Sequence, residues 1–129
     1  MAYAASRRPR TSRILLSEHR GSRAQRLEFF AIVNLGIVQS IASGALTPAE
    51  AVQRFYHAAN CLYVRRTLRS KEANDAMSRG VQLPDLFDAL GAEEARREFY
   101  HELEAMRALC LKLLARGRSL HRLTNQAAA

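Results

Sequence analysis

The residues best suited to chemistry in this sequence are His57 and Cys61, which stand four positions apart. On a helix, that spacing places an imidazole and a thiol on one face, where both could ligate a single ion. A structural zinc site uses four such ligands, usually in closely spaced pairs, and the sequence offers this pair alone. We therefore predict that the chain holds no metal ion and no other cofactor.

Glu98 and His101 form a Glu-x-x-His motif, which di-iron helical bundles use twice together with two further glutamates. The sequence contains a single copy, and the helical register turns both residues away from the apolar face of their helix. There is also no Gly-x-Ser-x-Gly turn and no glycine-rich phosphate loop. We therefore predict that the protein is not an enzyme.

The two cysteines, Cys61 and Cys110, lie inside predicted helices and are too few for a disulfide framework. One disulfide between them and two free thiols are both compatible with the sequence, and free thiols in a reducing compartment are favoured. The longest apolar run, residues 29–38, falls short of the roughly 20 residues that a membrane-spanning helix needs. We expect a cytoplasmic protein without a membrane span.

Positive charge is concentrated near the start of the chain. The formal net charge is +8, and residues 1–26 contain seven arginines against a single acid, Glu18. This segment lacks helical periodicity and contains Pro9 and Gly21, so we predict a disordered basic arm over residues 1–25. Its candidate contacts to phosphates or to an acidic partner are Arg7, Arg8, Arg10 and Arg13.

A second group of arginines, Arg65, Arg66 and Arg69, follows near the end of a predicted helix. These side chains are further candidates for contacts to phosphates, which would make binding depend on salt, although the helix dipole alone favours cations there. Neither group is accompanied by a helix-turn-helix or an RNA-binding signature. Nucleic-acid binding, an acidic protein partner and a purely solubilising role all stay open.

Apolar residues at helical spacing predict three main helices, of which the first covers residues 26–43 and ends at Gly44. Its predicted buried stripe is Leu27, Phe30, Asn34, Ile37 or Val38, and Ile41. The second begins at a capping box formed by Thr47 and Glu50, with Pro48 at the first helical position, and fades near Leu68. Its predicted buried stripe is Val52, Phe55, Ala59 and Leu62. Two short helical segments follow, from Ser70 to Gly80 and from Asp85 to Leu90.

The third main helix is the longest, from Ala92 to at least Arg116, where Gly117 favours a stop. Its apolar residues repeat in steps of four and three, as in a coiled-coil seam. That seam is both a candidate bundle core and a candidate homodimer interface. Its members are Phe99, Leu103, Met106, Cys110, Leu113 and Leu120.

These elements predict an all-α protein: a small bundle of three main helices with two short helical segments and a flexible basic N-terminal arm. Strands are not expected, because β-branched runs are almost absent. At 129 residues there is room for one domain. We place the arm at residues 1–25, the helical domain at 26–123 and a disordered tail at 124–129.

Two stretches carry a resemblance to a known family. The first is Gly36-Ile37-Val38 followed by Gly44-Ala45-Leu46-Thr47-Pro48-Ala49-Glu50-Ala51, and the second is Gly80-Val81-Gln82-Leu83-Pro84-Asp85-Leu86. Over residues 27–90 the chain resembles a family of small bacterial proteins described as a domain of unknown function. The acidic pair of the family's second motif is reduced here to Asp85. The resemblance implies a small helical bacterial protein and no particular activity.

Because the sequence contains no recognisable catalytic site and predicts a wide apolar surface on the first and third main helices, we predict a non-enzymatic protein-binding module of a bacterial cytoplasm. An immunity protein, an antitoxin and a small adaptor are examples of that class. Its partner would be another protein or a second copy of the chain. The alternative is a nucleic-acid-binding accessory protein that works through the basic arm.

Overall fold

The structure of the protein is a computed structural model that describes the backbone of residues 12–128 and the side chains of residues 12–118. All regular elements within these residues are helical, which confirms the predicted all-α fold. The helices are α1 (Arg23–Ala42), α2 (Pro48–Arg54), α3 (Ala58–Tyr63), α4 (Lys71–Gln82), α5 (Leu86–Ala89) and α6 (Ala92–Ala128). Turns of 3-10 helix cover Leu16–Glu18 and Leu83–Asp85, and a π-helical turn covers Val64–Leu68.

Helix α1 contributes the central apolar stripe, and it begins earlier than predicted. It starts at Arg23 because Ser22 and Gln25 form a capping box. Ser22 Oγ accepts the Gln25 N–H at 3.1 Å, and the Ser22 N–H donates to Gln25 Oε1 at 2.8 Å. The predicted stripe is confirmed, since Phe30, Asn34, Ile37, Val38 and Ile41 are all buried and Leu27 is partly buried against them.

Helices α4 and α6 complete the core and run antiparallel to each other. Glu72, near the start of α4, pairs with Arg116 in the later part of α6, while Arg79, seven residues after Glu72, pairs with Glu102, which precedes Arg116 in α6. Between them Met77 of α4 and residues of α6 are packed against α1 in one cluster of buried side chains. Burial of this apolar surface is the main source of stability.

The predicted second main helix is broken after Arg54, so this prediction is wrong beyond α2, although α3 then continues directly into the π-helical turn that ends at Leu68. Phe55 leaves helical geometry with φ −131° and ψ −46°, and His57 then caps α3. Phe55 and Tyr56 are both buried in the core at this break. Phe55 is buried as predicted and Val52 is partly buried, but Ala59 and Leu62 are exposed.

One polar pair lies inside the core at this break. The Tyr56 hydroxyl donates to Asn34 Oδ1 at 2.5 Å, and burial raises the pKa of Tyr56 well above its ordinary value. The Tyr56 ring rests on Gly80, where an added Cβ would come within 2.5 Å of two ring carbons. Gly80 therefore makes room for a ring inside α4, and the predicted helix stop at that residue is wrong.

Residues 14–16 are held at the same break by side chains of α3 and its cap. The Leu16 N–H donates to Asn60 Oδ1 at 3.0 Å, while Asn60 Nδ2 donates to the carbonyls of Ile14 at 2.9 Å and Phe55 at 2.8 Å. His57 Nε2 lies 3.0 Å from the same Ile14 oxygen. We call Ile14–Leu16 together with His57 and Asn60 the N-terminal clamp.

The predicted arm is therefore wrong over much of its length. Leu16 is buried, His19 stacks on Phe29 with ring centroids 3.9 Å apart, and α1 has begun by Arg23. Residues 14–25 belong to the domain because Leu16 adds apolar burial and Asn60 satisfies the backbone groups of the segment. Residues 1–11 lie outside the described part of the chain.

Helix α6 continues through Gly117 to Ala128, so it does not stop at Gly117, an outcome that the sequence left open, and the disordered tail predicted to begin at residue 124 is wrong. One glycine costs a helix only about 1 kcal/mol relative to alanine, and the surrounding Leu, Ala and Arg residues are good helix formers. Among the helices of residues 12–128, none combines the length and the apolarity that crossing a bilayer requires.

Candidate binding groove

A groove of about 320 Å³ opens where the start of α1, the start of α4 and the later part of α6 meet. Helices α1 and α6 contribute both charged and apolar side chains to it, while α4 and the two residues before it contribute charged and polar ones. The lining residues are Arg23, Ala24, Leu27, Glu28, Arg69, Ser70, Lys71, Glu72, Leu113, Leu114, Arg116 and Gly117. We call this cavity the groove.

The wall of the groove that directly precedes α4 is shaped by an uncommon backbone conformation. The π-helical turn ends at Arg69, which has φ 51° and ψ 49°, a left-handed conformation that favours glycine or asparagine. Arg23 of α1 holds this conformation in place, since its Nε donates to the Leu68 carbonyl at 2.8 Å and its Nη2 to the Arg69 carbonyl at 3.1 Å. The Arg69 side chain is exposed at the groove.

The opposite wall is fixed by a bidentate ion pair. Arg116 Nη1 and Nη2 donate to the two Glu72 carboxylate oxygens at 3.2 and 2.9 Å, and Lys112 Nζ lies 3.7 Å from the same carboxylate. The hydrogen bond from Arg116 lowers the pKa of Glu72 to about 2. This pair therefore stays ionised and closed across the neutral pH range.

Two cations of the groove are left available. Among the described side chains, Arg69 and Lys71 make no ion pair, and both are exposed. Beside them Leu27 and Leu114, both partly buried, form an apolar floor. The groove can therefore bind a segment that offers a carboxylate or phosphate together with an apolar side chain. Its described lining contains one hydroxyl, that of Ser70, which accepts the Ala73 N–H as the cap of α4.

The structure separates the arginines that the sequence grouped together. Arg69 lines the groove, while Arg65 lines a different cavity of about 210 Å³ beside Cys61. Arg66 is exposed on the π-helical turn, and Arg13 is exposed next to the N-terminal clamp. The remaining predicted contacts, Arg7, Arg8 and Arg10, lie outside the described residues.

The predicted seam of α6 is internal packing instead of an exposed interface. Leu103, Met106, Cys110 and Leu113 are buried in the core of their own chain, and Phe99 is partly buried against it. Burial raises the pKa of the Cys110 thiol to about 12. The homodimer predicted through these residues is wrong for the buried ones, because α1 and α4 already cover them. The Leu120 side chain lies outside the described part.

Three basic residues of the groove were not predicted from the sequence: Arg23, Lys71 and Arg116. Arg23 was counted in the arm, and the Ser22-x-x-Gln25 capping box was the signal that could have placed it at a helix start. The pairing of Glu72 with Arg116 joins residues 44 positions apart, so no local pattern contains it.

His57 and Cys61 have other roles in the fold than binding a metal ion. His57 is the N-cap of α3, where its Nδ1 accepts the Asn60 N–H at 3.4 Å. Burial raises the pKa of the Cys61 thiol, and the structure holds both cysteines as free thiols. Within the described residues no three His, Cys, Asp or Glu side chains gather closely enough to hold a metal ion.

No family model, curated protein or solved structure matches this chain. The resemblance over residues 27–90 to a bacterial family therefore stays a prediction. What the groove can bind has to be derived from its own residues.

Proposed function

We propose that this chain is a non-catalytic protein-binding module whose groove takes an acidic, apolar segment of a partner protein. The observation that carries the proposal is the placing of Arg69 and Lys71, without carboxylate partners among the described side chains, beside the apolar floor of Leu27 and Leu114. A carboxylate bound there would form charge-assisted contacts, and a neighbouring apolar side chain would be buried on the floor.

A protein segment suits the groove better than a nucleic acid does. Glu28 and Glu72 line the same cavity, and a run of phosphates laid across the groove would meet both carboxylates. A peptide can alternate charged and apolar residues and so avoid that repulsion. An immunity protein, an antitoxin or an adaptor of a bacterial cytoplasm would use such a site.

The test is the binding of a labelled synthetic peptide with alternating aspartate and leucine, followed by fluorescence anisotropy. The double variant Arg69→Asn/Lys71→Gln should weaken binding about tenfold, because two exposed ion pairs contribute up to about 1 kcal/mol each. Asparagine is chosen at position 69 because it tolerates the left-handed backbone. Arg66→Gln is the matched control, since Arg66 is equally exposed but lies outside the groove.

Two results would overturn the proposal. One is equal binding of the peptide by the double variant and the unchanged chain. The other is equal binding of a control peptide in which every aspartate is replaced by asparagine. A DNA oligonucleotide that binds more tightly than the acidic peptide, and loses affinity in the same double variant, would assign the groove to nucleic acid instead.

A second function, nucleic-acid binding through the basic arm, is favoured by one observation. Arg13, the member of this arginine group that the structure describes, is exposed directly beside the clamped Ile14. Deleting residues 1–11 removes Arg7, Arg8 and Arg10 and spares the N-terminal clamp. This deletion should abolish retention on a DNA column at low salt. Full retention would exclude the arm as the binding element.

A further inference from the structure

A second exposed surface lies at the other end of the described part of α6. Phe87 of α5 packs on Phe99 of α6 with ring centroids 5.4 Å apart, and Tyr100 meets Phe99 edge-on at 5.2 Å. Phe87 is 50% exposed and Tyr100 is 53% exposed. Two exposed aromatic rings that pack on the same third ring are typical of a surface that binds another protein.

Five carboxylates lie close to these rings along the sequence. Their side chains are exposed, and among the described side chains none of them forms an ion pair. They are Asp85, Asp88, Glu93, Glu94 and Glu98. The same stretch contains two cations, Arg96 and Arg97, so its net charge is negative. We call residues 85–100 the acidic end.

The acidic end has the chemistry that the groove requires. Phe87 stands between Asp85 and Asp88, which gives one exposed apolar side chain flanked by two carboxylates. The groove offers an apolar floor beside Arg69 and Lys71. The two surfaces are therefore complementary both in charge and in polarity.

A chain cannot bring its own two surfaces together. Both are built on α6, where Phe99 precedes Leu113 of the groove by fourteen residues, or about 21 Å along a continuous helix. Because α6 is one rigid element between them, contact between acidic end and groove requires two molecules.

We propose that the acidic end of one copy of this chain docks in the groove of a second copy. Phe87 enters against Leu27 and Leu114, while Asp85 and Asp88 meet Arg69 and Lys71. The inference rests on the proposed function of the groove and names a second copy as its partner. Since the two surfaces differ, the contact is heterologous, and each added copy leaves one groove and one acidic end free.

Sedimentation velocity over a wide range of protein concentration tests the assembly. The unchanged chain should form species that grow beyond the dimer with concentration and shrink as salt is added. The groove variant Arg69→Asn/Lys71→Gln and the end variant Asp85→Asn/Phe87→Ser/Asp88→Asn should each be monomeric alone. An equimolar mixture of the two variants should form a dimer that grows no further. The intact groove of the end variant binds the intact acidic end of the groove variant, and the two surfaces left free are the mutated ones. Arg66→Gln should assemble like the unchanged chain.

Three outcomes would overturn this inference: a monomer at every concentration, self-association that the groove variant retains, and a mixture of the two variants that stays monomeric. The two proposals fail separately. If the chain stays monomeric but the groove still binds the acidic peptide, only the second copy is excluded as partner. If the peptide also fails to bind, the proposed function of the groove falls with it. Circular dichroism of each variant separates lost contacts from lost folding.

Discussion

Two parts of this molecule reach the same degree of burial by different means. Helices α1, α4 and α6 are continuous and enclose side chains such as Phe30, Met77 and Met106. The segment from Phe55 to Leu68 is broken, and with residues 14–16 it is organised around Asn60, which is 1% exposed. The first part depends on apolar side chains at regular spacing, and the second depends on one amide with several partners.

The difference shows that hydrogen bonds from one buried polar side chain can organise a segment whose apolar residues lack regular helical spacing. Asn60 makes three hydrogen bonds to backbone groups, which have no helical partners at the break. Asn34 in the helical part has one, to Tyr56. A buried amide with several backbone partners organises the chain around it, whereas Asn34 is held in a helix that forms without it.

The largest effect should come from removing the organising amide. Asn60→Ala leaves the Leu16 N–H and the Phe55 carbonyl without a partner, and each such buried group costs 1–3 kcal/mol. We expect the free energy of unfolding to fall by about 3 kcal/mol in urea denaturation. Asn74→Ala on α4 is the control, because Asn74 makes none of the side-chain hydrogen bonds described here. Equal losses in both variants would contradict the role of Asn60.

The contact between the two parts should be nearly as sensitive. Gly80→Ala places a methyl group within 2.5 Å of the buried Tyr56 ring, and such overpacking costs about 1–3 kcal/mol. Gly36→Ala, in α1 with nothing within 4 Å of the added carbon, should instead stabilise by up to about 1 kcal/mol. Opposite signs in thermal unfolding are expected. Stabilisation by both alanines would show that Tyr56 moves freely.

A smaller effect is expected at the start of α2, which leads into the broken segment. Thr47 Oγ1 accepts the Glu50 N–H at 3.0 Å, and the Thr47 N–H donates to Glu50 Oε1 at 2.9 Å. Thr47→Ala should cost about 1 kcal/mol of unfolding free energy, while Thr47→Ser should cost less because the hydroxyl remains. If alanine and serine behave alike, the hydroxyl does not hold this helix end.

The smallest effect concerns pH and the link between α4 and α6. The pKa of Glu72 is about 2 in the folded protein, against about 4.3 in an unfolded chain. The stability that this group contributes is fully present above about pH 4.3 and is lost as the pH falls towards 2. The advantage of the unchanged chain over Glu72→Gln should therefore shrink over that window. A difference that does not change with pH would show that the ion pair with Arg116 is not formed.

The sequence was most informative where one helix face decides burial. The apolar stripe of α1, the capping box at Thr47, the cap at Ser70 and the left-handed Gly44 are each local patterns, and the structure contains all four. Prediction from the sequence failed where two distant segments of the chain meet. The break after Arg54 and the ring of Tyr56 on Gly80 have no local signature, because each depends on a partner elsewhere in the chain.

The residues of the groove also divide into those that the sequence predicted and those that only the packing of the helices brought together. Arg69 was a candidate from its charge alone, but Arg23 and Arg116 became part of the groove only when α1 and α6 packed beside α4. The seam of α6 was predicted as an apolar face, which it is. Whether that face turns towards its own chain or towards another molecule depends on how much of it α1 and α4 cover.

The amino-acid sequence by itself determined the helical class, most helix starts and the apolar faces, because these follow from backbone propensity and from the spacing of side chains along one helix. The tertiary structure alone decided where the second predicted helix breaks, that residues 14–25 join the domain, and which cations share the groove. Those features arise from contacts between distant residues such as Leu16 and Asn60, 44 positions apart. Such contacts contribute to stability only in the folded chain.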